Sequence, residues 1–141
     1  MRIRKQLIYI PLSLIALTFN VHASDMIFKC MFKNHKQVSL YKKSNDITYT
    51  FGKPGEKPDL ELNRKKDQIE TNLGNLSGRY ATNSIIIKNG VYGYKLTTSV
   101  DRIAEEQEPS TSLTVTKNDN DITTLQCMKG SEEGSLISID D

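Results

Sequence analysis

The sequence predicts an all-β fold, a small antiparallel β-barrel or a closely folded sandwich of roughly eight strands. Short segments of alternating apolar and polar residues are separated by turn residues, a pattern typical of antiparallel sheets. Helix-type periodicity is nearly absent after the first 23 residues. Two cysteines stand near the two ends of the same segment and could join its first and last strands. We favour the barrel, because closing a sheet removes its exposed edges.

Residues 1–23 have the pattern of a bacterial signal peptide. A basic start at residues 1–5 precedes an almost uninterrupted apolar run at 7–21, and a small-residue cleavage pattern ends at Ala23. We therefore expect cleavage after Ala23 and export to the periplasm. No later apolar run reaches the roughly 18 residues of a spanning helix, so we expect no membrane span.

Removal of the signal leaves 118 residues, enough for one domain and too few for two. We expect a single β-barrel domain at residues 24–130 and a flexible acidic tail at 131–141. The signal holds three of the 19 basic residues and none of the 17 acidic ones, so the mature chain has 16 basic residues and a net charge of −1. This balance argues against nucleic acid as a partner, since such binding needs clustered Lys and Arg.

Four strands are predicted in the first half of the mature chain, at residues 27–32, 37–41, 47–51 and 59–62. The third alternates strictly, with two threonines on one face and apolar or aromatic residues on the other. The next stretch, residues 63–75, is polar and weakly periodic. It predicts a loop or a short helical turn rather than core.

The clearest local pattern is a hairpin of residues 84–88 and 91–96. Between them stands Asn89-Gly90, a pair that accepts the positive φ angles of a type I′ turn. We therefore expect Asn89 and Gly90 to be the two turn residues.

The rest of the chain predicts an exposed acidic loop at residues 101–110 and one more hairpin. That hairpin pairs residues 113–115 with 122–127 across a turn at 118–121.

A disulfide between Cys30 and Cys127 is the expected state of the two cysteines. Exported proteins meet an oxidising compartment, where two cysteines in one small domain usually pair. A reactive thiol pair would need the C-x-x-C spacing, which the chain lacks. Pairing would bring the first and last strands together, either adjacent or face to face.

Residues for catalysis are scarce. His35 is the one histidine outside the signal, no cluster of ligand type accompanies it, and no Gly-x-Ser-x-Gly elbow is present. Two carboxylates can cleave glycosides without histidine, but the acidic residues here cluster in predicted loops. We therefore expect no enzyme activity, no metal site and no cofactor.

Two motifs resemble those of the bacterial periplasmic and membrane-bound inhibitors of c-type lysozyme. The first is Leu76-Ser77-Gly78-Arg79-Tyr80, and the second is the strand Ile85-Ile86-Ile87-Lys88-Asn89-Gly90 with Tyr92-Gly93-Tyr94 after it. The resemblance implies a small antiparallel barrel with an early and a late cysteine. It also implies that Ser77 and Lys88 reach the two catalytic carboxylates of the target, while Arg79 and Tyr80 shape the same loop. We therefore expect the loop at residues 77–80 and the turn at Lys88 to lie side by side.

These observations predict a periplasmic inhibitor of a cell-wall-degrading enzyme. The partner would be a lysozyme or a secreted antibacterial toxin, blocked by a loop inserted into its cleft. The expected partner-binding residues are Ser77, Gly78, Arg79, Tyr80 and Lys88. The alternative is a carrier of a small ligand or an envelope lipid, which would need a hollow barrel.

Overall fold

The computed structural model describes residues 24–141, so the predicted signal peptide lies outside the described residues. Ten strands and two short 3₁₀ helices make up this part of the chain. In order they are β1 Asp25–Met31, β2 Gln37–Lys43, β3 Asp46–Gly52, β4 Leu60–Lys65, the 3₁₀ helix Lys66–Gln68, β5 Glu70–Ser77, β6 Tyr80–Asn89, β7 Tyr92–Asp101, β8 Ser110–Lys117, β9 Asn120–Gln126, β10 Glu133–Gly134 and the 3₁₀ helix Leu136–Ile139.

The strands form two antiparallel sheets of five strands each. The first sheet has the order β10-β1-β2-β3-β4 and the second β5-β6-β7-β8-β9. The all-β prediction is confirmed. An isolated bridge between Phe32 and Cys127 links the end of β1 to the end of β9. The pairings among residues 24–141 show no closed barrel, so the barrel stays a prediction.

Both sheets bury apolar side chains in one shared core. The strict alternation of β3 places Ile47 and Tyr49 inside, against Ile85 and Ile87 from β6 of the second sheet in the same cluster. Across the two sheets, the rings of Tyr49 and Tyr94 lie 5.5 Å apart. The period of two seen in the sequence therefore corresponds to one buried face on each sheet.

The β6–β7 hairpin turns one residue later than predicted. Asn89 pairs with Tyr92, so the two turn residues are Gly90 and Val91. Gly90 has a φ of 61°, whereas Val91 is not among the residues with positive φ. A glycine with positive φ at the first turn position is the requirement of a type II′ turn, the other tight turn that suits the twist of a hairpin.

The β8–β9 hairpin has the type I′ turn that the sequence predicted for the β6–β7 hairpin. Lys117 pairs with Asn120, which leaves Asn118 and Asp119 as turn residues. Their φ angles are 50° and 63°. Two consecutive positive φ angles define type I′, and Asn and Asp tolerate them better than other non-glycine residues.

The polar stretch at residues 63–75 is mostly strand, so the prediction of a loop or helical turn is wrong for most of it. It contains the end of β4 and most of β5, with the 3₁₀ helix between them. Its weak periodicity has a structural cause: β5 has a bulge between Asn72 and Asn75, and most of its side chains are exposed. From this stretch, Ile69 is buried in the core and Leu73 packs against it.

The prediction of a flexible tail at residues 131–141 is wrong. Leu136 and Ile139 are buried in the core, and β10 pairs with β1. Lys42 donates from Nζ to the backbone oxygen of Ile139 at 3.1 Å, and Lys66 lies 3.1 Å from a carboxylate oxygen of Asp140. Leu136 and Ile139 are three residues apart in a single helical turn. Two apolar positions among polar residues are too few to indicate a buried helix from the sequence.

Candidate protein-binding site

The Ser77–Tyr80 motif forms the tight turn between β5 and β6. Ser77 pairs with Tyr80, so Gly78 and Arg79 are the turn residues. Gly78 has a φ of 56°, which a residue with a side chain rarely adopts. All four residues are exposed. The motif is therefore a tip at one end of the second sheet.

An ion pair joins this turn to the end of β7. Arg79 donates from Nε to both carboxylate oxygens of Asp101, at 2.8 and 2.7 Å, and from Nη2 to one of them. This bonding lowers the pKa of Asp101 and raises the pKa of Arg79. Charge-assisted hydrogen bonds to both oxygens fix orientation as well as distance.

Backbone contacts fasten the same two segments. The Arg102 N–H donates to the Arg79 carbonyl at 2.9 Å, and the Arg102 side chain donates from Nη1 to the Gly78 carbonyl at 3.2 Å. Asp101 also accepts a bond from the Ile103 N–H at 3.2 Å. The tip is therefore made of two chain segments held by main-chain and side-chain bonds, and we call residues 76–80 and 101–103 the binding tip.

Three large apolar side chains are exposed on the binding tip. The exposed fractions are 72% for Ile103, 63% for Leu76 and 47% for Tyr80. The Arg79 guanidinium lies 6.0 Å from the centre of the Tyr80 ring. Tyr and Arg beside exposed apolar residues are the composition of the energetic centre of many protein interfaces.

Lys88 does not belong to this site. It lies near the far end of β6, and eight residue steps at about 3.3 Å separate it from Tyr80 by roughly 26 Å. Its Nζ is 3.0 Å from Asp119 and 3.7 Å from Glu70. The expectation that Ser77 and Lys88 lie side by side is wrong, because Ser77 ends β5 opposite Tyr80 at the start of β6, whereas Lys88 lies near the far end of β6.

Sequence reasoning did not assign Asp101, Arg102 and Ile103 to the site. The register of the β6–β7 hairpin decides this: with the turn at Gly90 and Val91, Tyr80 pairs with Asp101. A turn at Asn89 and Gly90 would have paired Tyr80 with Ser99 instead. A shift of one position in the turn thus moved the partner by two residues.

The predicted disulfide is confirmed. Cys30 and Cys127 are bonded, with their Cα atoms 5.7 Å apart and a sequence separation of 97. Both cysteines are buried in the shared core. Cys127 directly follows β9, and the end of β9 pairs with the start of β8 at the end of the second sheet that carries the binding tip. The disulfide therefore joins that end of the second sheet to β1.

Residues 24–141 contain no group of three His, Cys, Asp or Glu side chains arranged to hold a metal ion. His35 occupies a turn after β1 and has a φ of 62°. None of the helices in this part of the chain is long and apolar enough to cross a membrane.

Comparisons with protein-family models, with curated proteins and with solved structures find no match to this chain. The resemblance to inhibitors of c-type lysozyme therefore rests on the two motifs alone.

Proposed function

We propose that this protein is an exported inhibitor of a cell-wall-degrading enzyme and that it inserts the binding tip into the cleft of that enzyme. The target is a lysozyme or an antibacterial toxin that attacks the cell wall. The observation that carries the proposal is the placement of Leu76, Tyr80 and Ile103, exposed around the fixed Arg79–Asp101 pair.

A protruding and fixed tip suits inhibition. Binding costs less when the contacting loops are already ordered, because less conformational entropy is lost. The Arg79–Asp101 pair and the Arg102–Arg79 backbone bond supply that order here. The apolar side chains supply contact area that excludes water from the target cleft.

The chemistry of the tip fits a cleft with carboxylates. Cell-wall glycosidases use two acidic side chains, which a serine hydroxyl or a guanidinium can bond. Ser77 and Arg102 are exposed groups of the tip that offer such donors. Arg102 uses Nη1 for the Gly78 carbonyl, and its remaining N–H groups take the role first assigned to Lys88. The guanidinium of Arg79 already bonds Asp101, so it orders the tip instead.

The carrier alternative finds less support in the core. Large side chains fill the space that the sheets share, and those that are fully buried include Tyr49, Phe28, Phe32 and Leu40. A carrier would need that space for its ligand. The resemblance to lysozyme inhibitors adds the class of target, which the geometry alone does not specify.

The test is inhibition and binding of c-type lysozyme, and of any secreted hydrolase encoded beside this protein, by wild type and variants. Tyr80→Ala and Ile103→Asp should each weaken binding at least tenfold, the effect of about 1.4 kcal/mol expected for an interface centre. Val91→Asp is the matched control, since Val91 is 53% exposed at the opposite end of β6 and β7.

Two outcomes would overturn the proposal. In the first, wild type and both tip variants inhibit equally, whereas Val91→Asp loses inhibition. The binding site would then lie at the other end of the second sheet. The other is failure of the wild type to inhibit any cell-wall hydrolase while a small apolar ligand co-purifies with it. The carrier function would then replace this one.

A further inference from the structure

The loop that follows β3 folds back over the outer face of the first sheet. This loop, residues 53–58, begins with a turn in which the Glu56 N–H donates to the Lys53 carbonyl at 3.3 Å. Pro54 at the second position and Gly55, with a φ of 77°, at the third are typical of a type II turn. The start of the loop therefore has a defined local structure.

The end of this loop passes directly against the end of β3. A Cβ atom on Gly52 would lie 2.9 Å from the backbone nitrogen of Asp59 and 3.1 Å from Cα of Pro58, so a side chain there would collide with the returning chain. Lys36 Nζ lies 2.6 Å from a carboxylate oxygen of Asp59. The returning chain is thus held close to the sheet.

The loop and the sheet enclose a pocket of about 210 Å³, which we call the β2–β3 pocket. Its floor consists of alternate residues of the two strands, those whose side chains point away from the core. They are Gln37, Ser39, Tyr41 and Thr50. Ser39 is 2% exposed although it does not face the core, so this part of the outer face is covered.

The floor of the β2–β3 pocket offers hydrogen-bonding groups without charge. Gln37 donates from Nε2 to Ser39 Oγ at 2.8 Å, which orients the amide group. Ser39 and Thr50 are directly opposite each other on the two strands. The hydroxyl groups of Tyr41 and Thr50 can each donate and accept a hydrogen bond. A ligand in the pocket therefore meets uncharged donors and acceptors.

The charges around the pocket are balanced and lie at its rim. Lys53 and Glu56 are the charged residues of its lining, and both belong to the exposed turn of the loop. Their opposite signs favour neither an anion nor a cation. The pocket is therefore suited to a neutral ligand.

Ring faces complete the lining. Tyr41 supplies an apolar ring with a polar tip, and Pro54 and Pro58 supply the apolar surface of the loop. A pyranose sugar presents an apolar C–H face and hydroxyl groups around its edge. The combination of ring faces with uncharged hydrogen-bonding groups is complementary to such a molecule.

We propose that the β2–β3 pocket binds one ring of a neutral carbohydrate. The C–H face of the sugar packs against the Tyr41 ring, and its hydroxyl groups bond to Thr50 and to the Gln37 amide. The volume limits the occupant to about one ring, because sites for drug-sized ligands measure roughly 300–1,000 Å³. The pocket lies on the first sheet and the binding tip on the second, so this inference does not depend on the proposed inhibition.

Other occupants fit less well. β2 and β3 are inner strands, so their backbone groups are already paired and cannot bind a peptide by strand addition. An apolar ligand would leave the hydrogen-bonding groups of the floor without partners. A second copy could place only one or two side chains in the pocket, whereas a stable interface buries about 800 Å² on each partner.

The experiment is an NMR titration of the isotope-labelled, oxidised protein with neutral sugars, namely glucose, galactose, mannose, N-acetylglucosamine and its disaccharide. At least one should shift the backbone amide signals of Gln37, Ser39 and Thr50 in a saturable manner. The dissociation constant should be in the millimolar range, because a single ring offers little contact area. Glucuronic acid, which has the shape of glucose and a negative charge, should bind no more tightly than glucose.

Tyr41→Ala and Thr50→Val should each weaken binding of the tightest sugar by about fivefold or more, the effect of one lost ring contact or hydrogen bond. Valine has nearly the size of threonine but no hydroxyl group. Tyr92→Ala and Thr97→Val are the matched controls, because they remove the same groups from β7 of the second sheet. A dispersed amide spectrum of each variant will show that it folds.

Four results would overturn the inference. The first two are the absence of a saturable shift at the pocket amides with every sugar, and binding that Tyr41→Ala and Thr50→Val leave unchanged. The third is tighter binding of glucuronic acid than of glucose, which would indicate an anion site at Lys53. The fourth is a shift of the same amides when the protein is concentrated without sugar, which would assign the pocket to a second copy. None of these measurements involves a hydrolase, so they leave the proposed inhibition to its own test.

Discussion

Arg79 and Asp101 form an ion pair, through both carboxylate oxygens, between two segments that are 22 residues apart in sequence. The pair exists because the β6–β7 register places Tyr80 opposite Asp101, so the residue before Tyr80 reaches the same carboxylate. It joins the turn that the sequence singled out to a segment that the sequence assigned only to an acidic loop. The relationship defines the binding tip and leads to the first two predictions.

Asp101→Asn should loosen the tip without lowering global stability. The Arg102 N–H, which bonds to the Arg79 carbonyl, should exchange with solvent faster, because the Arg79 side chain no longer holds the turn. Surface ion pairs contribute little to folding, so the melting temperature should stay nearly constant. Asp59→Asn removes the exposed pair with Lys36 and is the control that should leave Arg102 exchange unchanged. Unchanged exchange in Asp101→Asn would show that the pair does not order the tip.

The carboxyl group of Asp101 should titrate below the ordinary value of 3.8, since the hydrogen bond from Arg79 favours its charged form. A lowered pKa in the folded state means that the contribution of the pair is present above the unfolded value and is lost as pH falls through the folded pKa. The tip should therefore be intact at pH 5 and loosen only in more acidic solution. Carbon-detected NMR titration of Asp101 measures this pKa directly. A midpoint above 3.8 would contradict the prediction.

The disulfide should account for much of the stability. Replacing both Cys30 and Cys127 by Ser should lower the free energy of unfolding by up to about 4 to 5 kcal/mol, because the bond restricts a long loop of the unfolded chain. Reduction of the wild type with dithiothreitol should give a similar loss in a denaturant titration. The oxidised protein should show no free thiol by mass spectrometry after alkylation. Two alkylated cysteines in natively purified protein would contradict the disulfide.

Gly90→Val should destabilise the β6–β7 hairpin. The φ of 61° at Gly90 costs a residue with a side chain roughly 1–2 kcal/mol, and a β-branched residue is a poor occupant of that conformation. Val91→Ala changes the other turn residue, whose φ is not positive, and should alter the free energy of unfolding far less. Thermal unfolding of both variants tests the turn assignment. Equal stability of Gly90→Val and wild type would show that the turn lies elsewhere.

The C-terminal segment should contribute to folding through two of its residues. Ile139→Ala should lower the free energy of unfolding by about 2–5 kcal/mol, the usual cost of a buried aliphatic side chain. Ile137→Ala is the matched control, because Ile137 belongs to the same 3₁₀ helix but is 49% exposed. Denaturant unfolding should show little change for the control. An equal effect of the two variants would mean that the segment does not dock as described.

Local patterns in the sequence were sufficient for the fold class and the disulfide. Alternation with a period of two predicts strands directly, because successive side chains point to opposite faces. The pairing of Cys30 with Cys127 needed only the count of cysteines and the expected compartment. Both conclusions depend on neighbouring residues or on composition, so no knowledge of long-range contacts was required.

The composition of the site needed the tertiary structure. The resemblance to lysozyme inhibitors implied that Ser77 and Lys88 are neighbours, yet an extended strand separates residues by about 3.3 Å per step. The one-residue displacement of the turn to Gly90 and Val91 decided that Asp101 meets Arg79. The sequence by itself therefore determined which residues form strands and which cysteines bond. Strand length and register, which depend on contacts between distant residues, decided which side chains share the binding tip.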